Sequence, residues 1–163
     1  GQHKEMLEQV KNLFDLEIDS DLSIMKSNQS LNYITIETLK GIEKEFNDYH
    51  PSLVLVQGDT TSAFAASLAS FYKKIPVAHV EAGLRTDDMY NPYPEEINRR
   101  IISQIATLNF APTKVSANNL KLNNVPGEIY ITGNTIIDSL QEVSGKAKPF
   151  MVDAIDWKNK KII

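Results

Sequence analysis

The chain has 163 residues, of which 17 are Lys or Arg and 21 are Asp or Glu, so its formal net charge is −4. It contains no cysteine, which excludes disulfide bonds, thiolate metal sites and cysteine nucleophiles. The mild acidity argues against nucleic-acid binding, which depends on Lys and Arg neutralising phosphates. Neither a membrane-spanning apolar run nor the apolar core of a signal peptide is present. Length and composition therefore predict one soluble, cytoplasmic domain.

Helical and extended patterns alternate along the chain. An amphipathic helix at 4–14 precedes a polar stretch and a longer helix, which Ser30 can cap and which ends at His50-Pro51. Strand-type apolar runs follow at 53–56, 76–80, 108–111 and 129–132, and helical segments at 61–72, 95–106, 114–122 and 136–143. The strands start 23, 32 and 21 residues apart, close to the size of a βα unit. We therefore predict an α/β fold with a parallel, doubly wound sheet.

The two ends of the chain are unusual. It begins with Gly1, and it ends on Lys161-Ile162-Ile163, an apolar run typical of the first half of a buried strand. A frayed tail is the alternative interpretation. Residues 144–160 show weak periodicity and are predicted to be a linker or a docking tail.

Ligands of open parallel sheets bind at the carboxyl ends of the strands, beside helix N-termini. Asp59 follows the strand at 53–56, after Gly58, which permits a tight turn. A helix cap is the simpler interpretation of Asp59. Its position also suits a carboxylate that acts on a bound ligand.

Glu81 directly follows the strand at 76–80, where strand propensity does not explain a carboxylate. It is a candidate general acid or base. The structural alternative is a pair with Arg85 or with His79. We interpret His79, which lies between Ala78 and Val80, as a core histidine and not as a catalyst.

An aromatic and proline-rich loop then leads into Pro94-Glu95-Glu96, a typical helix start. Its stiffness suits a pocket wall. Glu95 or Glu96 could join Asp59 and Glu81 in one cleft, where carboxylates push their pKa values apart. Three arginines could hold a phosphate or neutralise this cluster, namely Arg85, Arg99 and Arg100. Dinucleotide, Walker, zinc-protease, EF-hand and serine-elbow motifs are absent.

Six motifs stand in order along the chain: Gln2-His3 with Met6, QGDTTSAFAASLASFY (57–72), IPVAHVEAGLRT (75–86), NPYPEEINRR (91–100), FAPT (110–113) and ITGNTIIDSL (131–140). Together they resemble the non-hydrolysing UDP-N-acetylglucosamine 2-epimerases from residue 2 to about residue 143. The resemblance implies a homodimer of chains with two Rossmann-like domains of the GT-B type. It implies interconversion of UDP-GlcNAc and UDP-ManNAc at C2 without cofactor or metal, in a route that commonly feeds polysaccharide biosynthesis.

The resemblance places the catalytic acids at Asp59, Glu81 and Glu95. It implies that Arg85 binds substrate, and that Gln2 and His3 contact nucleotide sugar, which also acts as an activator in bacterial members. The implied mechanism is anti elimination of UDP to an enzyme-bound 2-acetamidoglucal, followed by re-addition of UDP.

Two features of the family are missing from this sequence. Family members begin with a strand and a Gly-Thr-Arg-Pro-Glu type loop with a functional Lys, and they carry a second domain with a catalytic His. We therefore expect residues 1–143 to form a partial N-terminal Rossmann-like domain without its first strand and loop. Residues 144–163 are expected to be the interdomain linker and the start of the second domain's first strand.

The chain alone is expected to be inactive as an epimerase. Two alternatives stay open at this point: a hydrolysing epimerase that releases ManNAc and UDP, and a non-catalytic remnant that dimerises or binds nucleotide sugar.

Overall fold

The computed structural model describes residues 4–146, and the surroundings of side chains from residue 8 onward. In this part of the chain the elements are α1 (Lys4–Phe14), α2 (Leu31–Tyr49), β1 (Val54–Gln57), α3 (Thr61–Tyr72), β2 (Val77–Val80), α4 (Glu95–Ile105), β3 (Leu108–Ala111), α5 (Lys114–Leu122), β4 (Glu128–Ile131) and α6 (Thr135–Lys146). None of these helices is long and apolar enough to cross a membrane.

Each predicted helix and strand of this range is present, with ends within three residues of those predicted. The caps explain the agreement. Ser30 caps α2 by accepting a hydrogen bond from the Tyr33 amide at 3.1 Å. The same helix ends at His50, which adopts a left-handed conformation with φ 49° directly before Pro51.

The last helix is longer than the sequence suggested. It continues through Ser144 and Gly145 to Lys146, so the first three residues of the predicted linker are helical. A single glycine weakens a helix without ending it, which explains the difference. Residues 147–163, with the predicted start of a second-domain strand, lie outside the described residues.

The four strands form one parallel sheet in the order β1-β2-β3-β4, which confirms the predicted α/β fold with a parallel sheet. Residue Val56 of β1 stands beside His79 of β2, and His79 beside Asn109 of β3. Because all three pairings are parallel, the carboxyl ends of the four strands lie along the same edge. This edge receives the loops that carry the candidate acids.

Small residues dominate the core. One cluster joins β1 and β2 to α3 and α4, and its buried members are Val56, Ala63, Val77, Ile102 and Ala106. A second cluster lies under α5, and its buried members are Ala82, Ala111, Ala117 and Leu120. Helix α3 contributes alanines and serines to its contacts with α2 and α4. Two buried hydroxyls there, those of Ser67 and Ser70, donate to carbonyls one turn earlier in the same helix.

Candidate functional site

The register of β1 and β2 places the first two candidate acids side by side. Gln57, the last residue of β1, stands beside Val80, the last residue of β2. The Gly58 amide then donates to the Val80 carbonyl at 3.0 Å, which continues the pairing into the turn. Asp59 and Glu81 therefore leave adjacent strands at the same edge, as predicted.

Asp59 is not the cap of α3. The neighbouring Thr60 is, and its hydroxyl accepts a hydrogen bond from the Ala63 amide at 3.1 Å. The Asp59 carboxylate is thus free of capping and lies partly buried, with 27% of its side chain exposed. Burial raises the pKa of Asp59 above its usual value; Arg99 opposes this, and the negative charge of Glu95 adds to it.

Glu81 occupies a strained backbone position. Its φ is 68°, in the left-handed region that residues with a side chain rarely adopt, at a cost of about 1–3 kcal/mol. One carboxylate oxygen lies 3.7 Å from the point where a Cβ on Gly58 would stand. Glu81 therefore turns back over the Gly58-Asp59 segment. Within the described residues it forms no ion pair or hydrogen bond with Arg85 or His79, so the structural alternative has no support.

His79 is a core histidine, as predicted. It is fully buried, and its Nε2 lies 2.8 Å from the Gly58 carbonyl oxygen. Burial lowers the pKa of His79 to about 4, although the Gly58 carbonyl favours the charged form. The ring is therefore neutral near pH 7, and its Nε2–H donates to that carbonyl. This hydrogen bond ties the turn before Asp59 to β2.

The structure separates Glu95 from Glu96, which sequence reasoning from the residues alone could not do. Glu95 is partly buried and lies close enough to Asp59 for its charge to raise the Asp59 pKa. Glu96 is fully buried, and its carboxylate accepts hydrogen bonds from the Arg99 Nε at 2.7 Å and the Arg100 Nε at 2.6 Å. The two neighbours thus face different surroundings, and only Glu95 is available to a ligand beside Asp59.

Glu96 also holds the loop that precedes α4. It accepts a hydrogen bond from the Thr86 amide at 3.1 Å, while Arg100 donates to the Thr86 carbonyl at 2.9 Å. Burial by itself raises the pKa of Glu96, but the hydrogen bonds from Arg100 and Thr86 and the charge of Arg99 outweigh it and leave the pKa below its usual value. Glu96 is therefore an ionised structural carboxylate.

Two residues of α4 reach back to Asp59. Asn98 donates to the Asp59 carbonyl at 2.9 Å, and the Arg99 Nη1 lies 3.4 Å from the Asp59 Oδ2. No sequence motif pointed to a role for Asn98, although its position three residues after Glu95 places both residues on one side of the helix. Of the two roles expected for Arg99, neutralising the acids is the one that its contacts support.

Arg85 is half-buried between the β2–α4 loop and α4. Its guanidinium donates to the Leu84 carbonyl at 2.8 Å and to the Ser103 hydroxyl at 3.1 Å. Burial lowers the pKa of Arg85 from its usual value. These contacts are internal, so substrate binding by Arg85 stays a prediction. The other two predicted binding residues, Gln2 and His3, lie outside the described residues.

The aromatic loop before α4 exposes Tyr90 and Tyr93, whose rings stack with centroids 6.3 Å apart. The Thr86 hydroxyl lies 2.7 Å from the Asn91 carbonyl oxygen and 3.0 Å from the Asp88 carbonyl oxygen. Among the side chains that the structure describes, those of residues 8–146, no three from His, Asp or Glu are grouped so that they could hold a metal ion.

Comparison with known proteins gives consistent matches. The family model for UDP-N-acetylglucosamine 2-epimerase matches residues 1–163. A UDP-N-acetylglucosamine 2-epimerase of Salmonella typhimurium is 52% identical over 141 residues, which are 86% of this chain and 38% of that protein. The chain therefore spans about two fifths of the length of the relatives that it matches.

Solved structures agree. A UDP-GlcNAc 2-epimerase from Neisseria meningitidis bound to UDP-GlcNAc is 51% identical, with a TM-score of 0.83 over 90% of this chain and 40% of that one. The Methanocaldococcus jannaschii enzyme in complex with UDP-GlcNAc and UDP is 36% identical, with a TM-score of 0.79 over 86% of this chain and 39% of that one. These relatives confirm the predicted Rossmann-like fold as the N-terminal half of a GT-B type architecture. The chain belongs to the UDP-N-acetylglucosamine 2-epimerase family.

Proposed function

We propose that this chain is part of an enzyme that interconverts UDP-GlcNAc and UDP-ManNAc at C2 of the sugar. The observation that carries the proposal is that Glu81 lies against Gly58 and Glu95 lies near Asp59, beside the carboxyl ends of β1 and β2, within the family that the matches establish. A relative that is 51% identical over the matched region, which is 40% of its length, was solved with UDP-GlcNAc bound.

The chemistry explains why several carboxylates are needed. A carboxylate removes the C2 proton, and the electron pair of that bond forms a C1–C2 double bond. The C1–O bond breaks at the same time, and UDP leaves with the electron pair of that bond. When UDP adds back to C1, a second acid group donates a proton to the opposite face of C2. Removal and delivery on opposite faces need at least two groups, which three converging acids supply.

The elevated pKa of Asp59 suits such a site. Because burial and Glu95 favour its protonated form, Asp59 carries a proton at a higher pH than an exposed aspartate does. The strain at Glu81 fits the same function, since strained residues concentrate where a side chain must be aimed at a ligand.

The organisation of the whole enzyme is part of the proposal. We infer that residues 1–143 form a partial N-terminal domain and that residues 144–163 lead into a second domain. The share of each relative that the chain covers, about two fifths, supports this division. Substrate would then bind between two domains of a homodimeric enzyme, and the 163-residue chain alone would have no activity.

The experiment is to follow the reaction in D2O with the full-length chain that contains these residues. We expect UDP-GlcNAc to convert to UDP-ManNAc with deuterium at C2 of both sugars. Glu81→Gln should abolish the exchange at C2 while the chain keeps its fold, because the amide cannot accept the proton. Tyr49→Phe is the matched control, since Tyr49 is exposed on α2.

Three results would contradict the proposal. Release of free ManNAc and UDP would indicate the hydrolysing reaction, and deuterium exchange that persists in Glu81→Gln would remove Glu81 from the acid–base role. Turnover by the purified 163-residue chain would show that one domain suffices.

A further inference from the structure

We propose that Arg99, anchored by the buried carboxylate of Glu96, is a positioning residue that fixes the orientation of the Asp59 carboxylate in the site. This inference rests on the proposed function, because it assigns to Asp59 a task that requires a fixed orientation. It assigns to Arg99 no contact with substrate.

Arg99 is itself immobilised. Its side chain is buried, with 8% exposed. Its Nε donates to the Glu96 Oε2 at 2.7 Å, and its Nη2 lies 2.7 Å from the same oxygen. A planar guanidinium held in this way has a defined direction, which a lysine ammonium on a flexible stem would lack.

Glu96 is immobilised as well. Arg100 donates to its other oxygen at 2.6 Å, and the Thr86 amide donates to Oε2 at 3.1 Å. The carboxylate has no exposed surface, so it cannot reorient without leaving these partners unpaired. Glu96 is therefore a rigid base on which Arg99 rests.

Arg99 directs its remaining terminal nitrogen, Nη1, at Asp59. The 3.4 Å distance to Oδ2 is long for a strong hydrogen bond, so Arg99 orients the carboxylate without locking it. The backbone of Asp59 is held separately, by Asn98 at its carbonyl and by His79 at the preceding Gly58 carbonyl. With the main chain fixed on two sides, Arg99 governs only the carboxylate.

The charged groups around Asp59 make this arrangement measurable. Arg99 faces it from α4, as do Glu95 and Glu96, and Glu81 lies beside Gly58 at the end of β2. Arg99 is the cation among these groups, so its removal strengthens the effect of the acids on the Asp59 pKa.

The test uses the 163-residue chain and a carbon-13 NMR titration of the Asp59 carboxyl. In Arg99→Gln the Asp59 pKa should rise. A merely structural role predicts the opposite, because a loosened site would expose Asp59 and lower its pKa towards the usual value. Arg100→Gln is the matched control: it also removes a partner of Glu96, but Arg100 does not contact Asp59, and Glu96 keeps its bonds to Arg99 and to the Thr86 amide. The Asp59 pKa should therefore rise less in Arg100→Gln than in Arg99→Gln. A pKa that is unchanged or lowered in Arg99→Gln overturns the inference.

A second measurement avoids any change at Arg99 in case that variant fails to fold. In the unsubstituted chain, the Arg99 guanidinium resonances should shift with the same midpoint as the Asp59 carboxyl, and Asp59→Asn should remove that step. Resonances that do not respond to Asp59 overturn the inference.

A kinetic measurement in the full-length chain separates this inference from the proposed function. Arg99→Gln should lower kcat by about a hundredfold with little change in KM, because a misplaced catalytic group costs rate more than binding. Failure of the full-length chain to epimerise UDP-GlcNAc would defeat the proposed function while leaving the titration result in place. An unchanged kcat in an active enzyme would overturn the positioning role alone.

Discussion

The two halves of the sheet end in different kinds of residue. After β3 and β4, side chains cap the helices that follow: Thr113 accepts from the Ser116 amide at 3.1 Å, and Asn134 accepts from the Ile136 amide at 3.0 Å. After β1 and β2, a partly buried Asp59 and a strained Glu81 follow, and neither is a cap. The residues that follow the strand thus cap the next helix in the β3 and β4 units. In the β1 and β2 units, the corresponding segments present carboxylates.

The comparison shows what allows charges to collect at one edge. On the β1–β2 side, Thr60 caps α3, while α4 has Pro94 at its N-cap position and no side-chain cap. The acids of the α4 start are thereby free for other contacts. One of them, Glu96, holds the loop, and the other lies beside Asp59.

The largest effect is expected where the two halves meet, at Gly83. It has φ 89°, and a Cβ there would stand 2.8 Å from the Ser116 carbonyl carbon of α5, so backbone would have to move. Gly83→Ala should lower the free energy of unfolding by about 5 kcal/mol. The control is Gly133→Ala, with φ 80° but no atom within 4 Å, which should cost only about 1 kcal/mol. Equal losses in urea denaturation would show that strain alone, and not the contact with α5, constrains Gly83.

Glu96→Gln should lower the free energy of unfolding by about 4 kcal/mol, because it leaves the buried Arg99 without its main counter-charge. Urea denaturation at pH 7 measures the loss. The matched control is the neighbouring Glu95→Gln, which should change stability by less than about 1 kcal/mol. Similar losses at the two positions would erase the distinction between a structural and an accessible acid.

His79 should make stability depend on pH. Its pKa in the folded chain is about 4 against 6.5 for the free side chain, so below pH 6.5 the unfolded chain binds the extra proton. Above pH 6.5, His79 does not lower the free energy of unfolding. As the pH drops from 6.5 to about 4, protonation of His79 in the unfolded chain lowers that free energy by at most about 3 kcal/mol.

The measurement for His79 is the difference in stability between the chain and His79→Gln from pH 7 to pH 4. Glutamine can donate to the Gly58 carbonyl but does not titrate. The free energy of unfolding of the unsubstituted chain should therefore fall, relative to that of His79→Gln, as the pH drops. A difference that stays constant in His79→Gln would show that the ring protonates without cost.

The smallest effect is a gain. Since burial raises the pKa of Asp59, ionised Asp59 destabilises the fold at neutral pH, and Asp59→Asn should stabilise it by about 0.5 kcal/mol. The sign follows from proton binding: above the unfolded pKa the folded chain holds more protons than the unfolded one, so stability falls as the pH rises. The gain should vanish below pH 3.8, the ordinary value for Asp, where both states are protonated. A loss of stability at pH 7 would mean that the ion pair with Arg99 outweighs burial.

The sequence predicted the fold well because buried parallel strands are short apolar runs and the helices begin at recognisable caps. Asp59 and Glu81 could be chosen as candidate site residues because each follows a predicted strand, and ligands of parallel sheets bind at the carboxyl ends of strands. Sequence could not separate Glu95 from Glu96 by physical reasoning, because either acid satisfies the first turn of a helix. Their roles depend on how α4 is rotated against the β1–α3 loop. That rotation is set by the contacts of Asn98 and Arg99 with Asp59, which lies about 40 residues earlier in the chain.

The most direct test of the whole account compares proton exchange at C2 in Glu95→Gln and Glu96→Gln of the full-length chain. We predict that Glu95→Gln keeps its stability and loses deuterium incorporation at C2 of the sugar in D2O. Glu96→Gln should lose stability, and the molecules that remain folded should still exchange that proton, although more slowly, because Arg99 has lost its anchor. Full exchange in a stable Glu95→Gln variant would contradict the central claim that Asp59, Glu81 and Glu95 form the acid–base site.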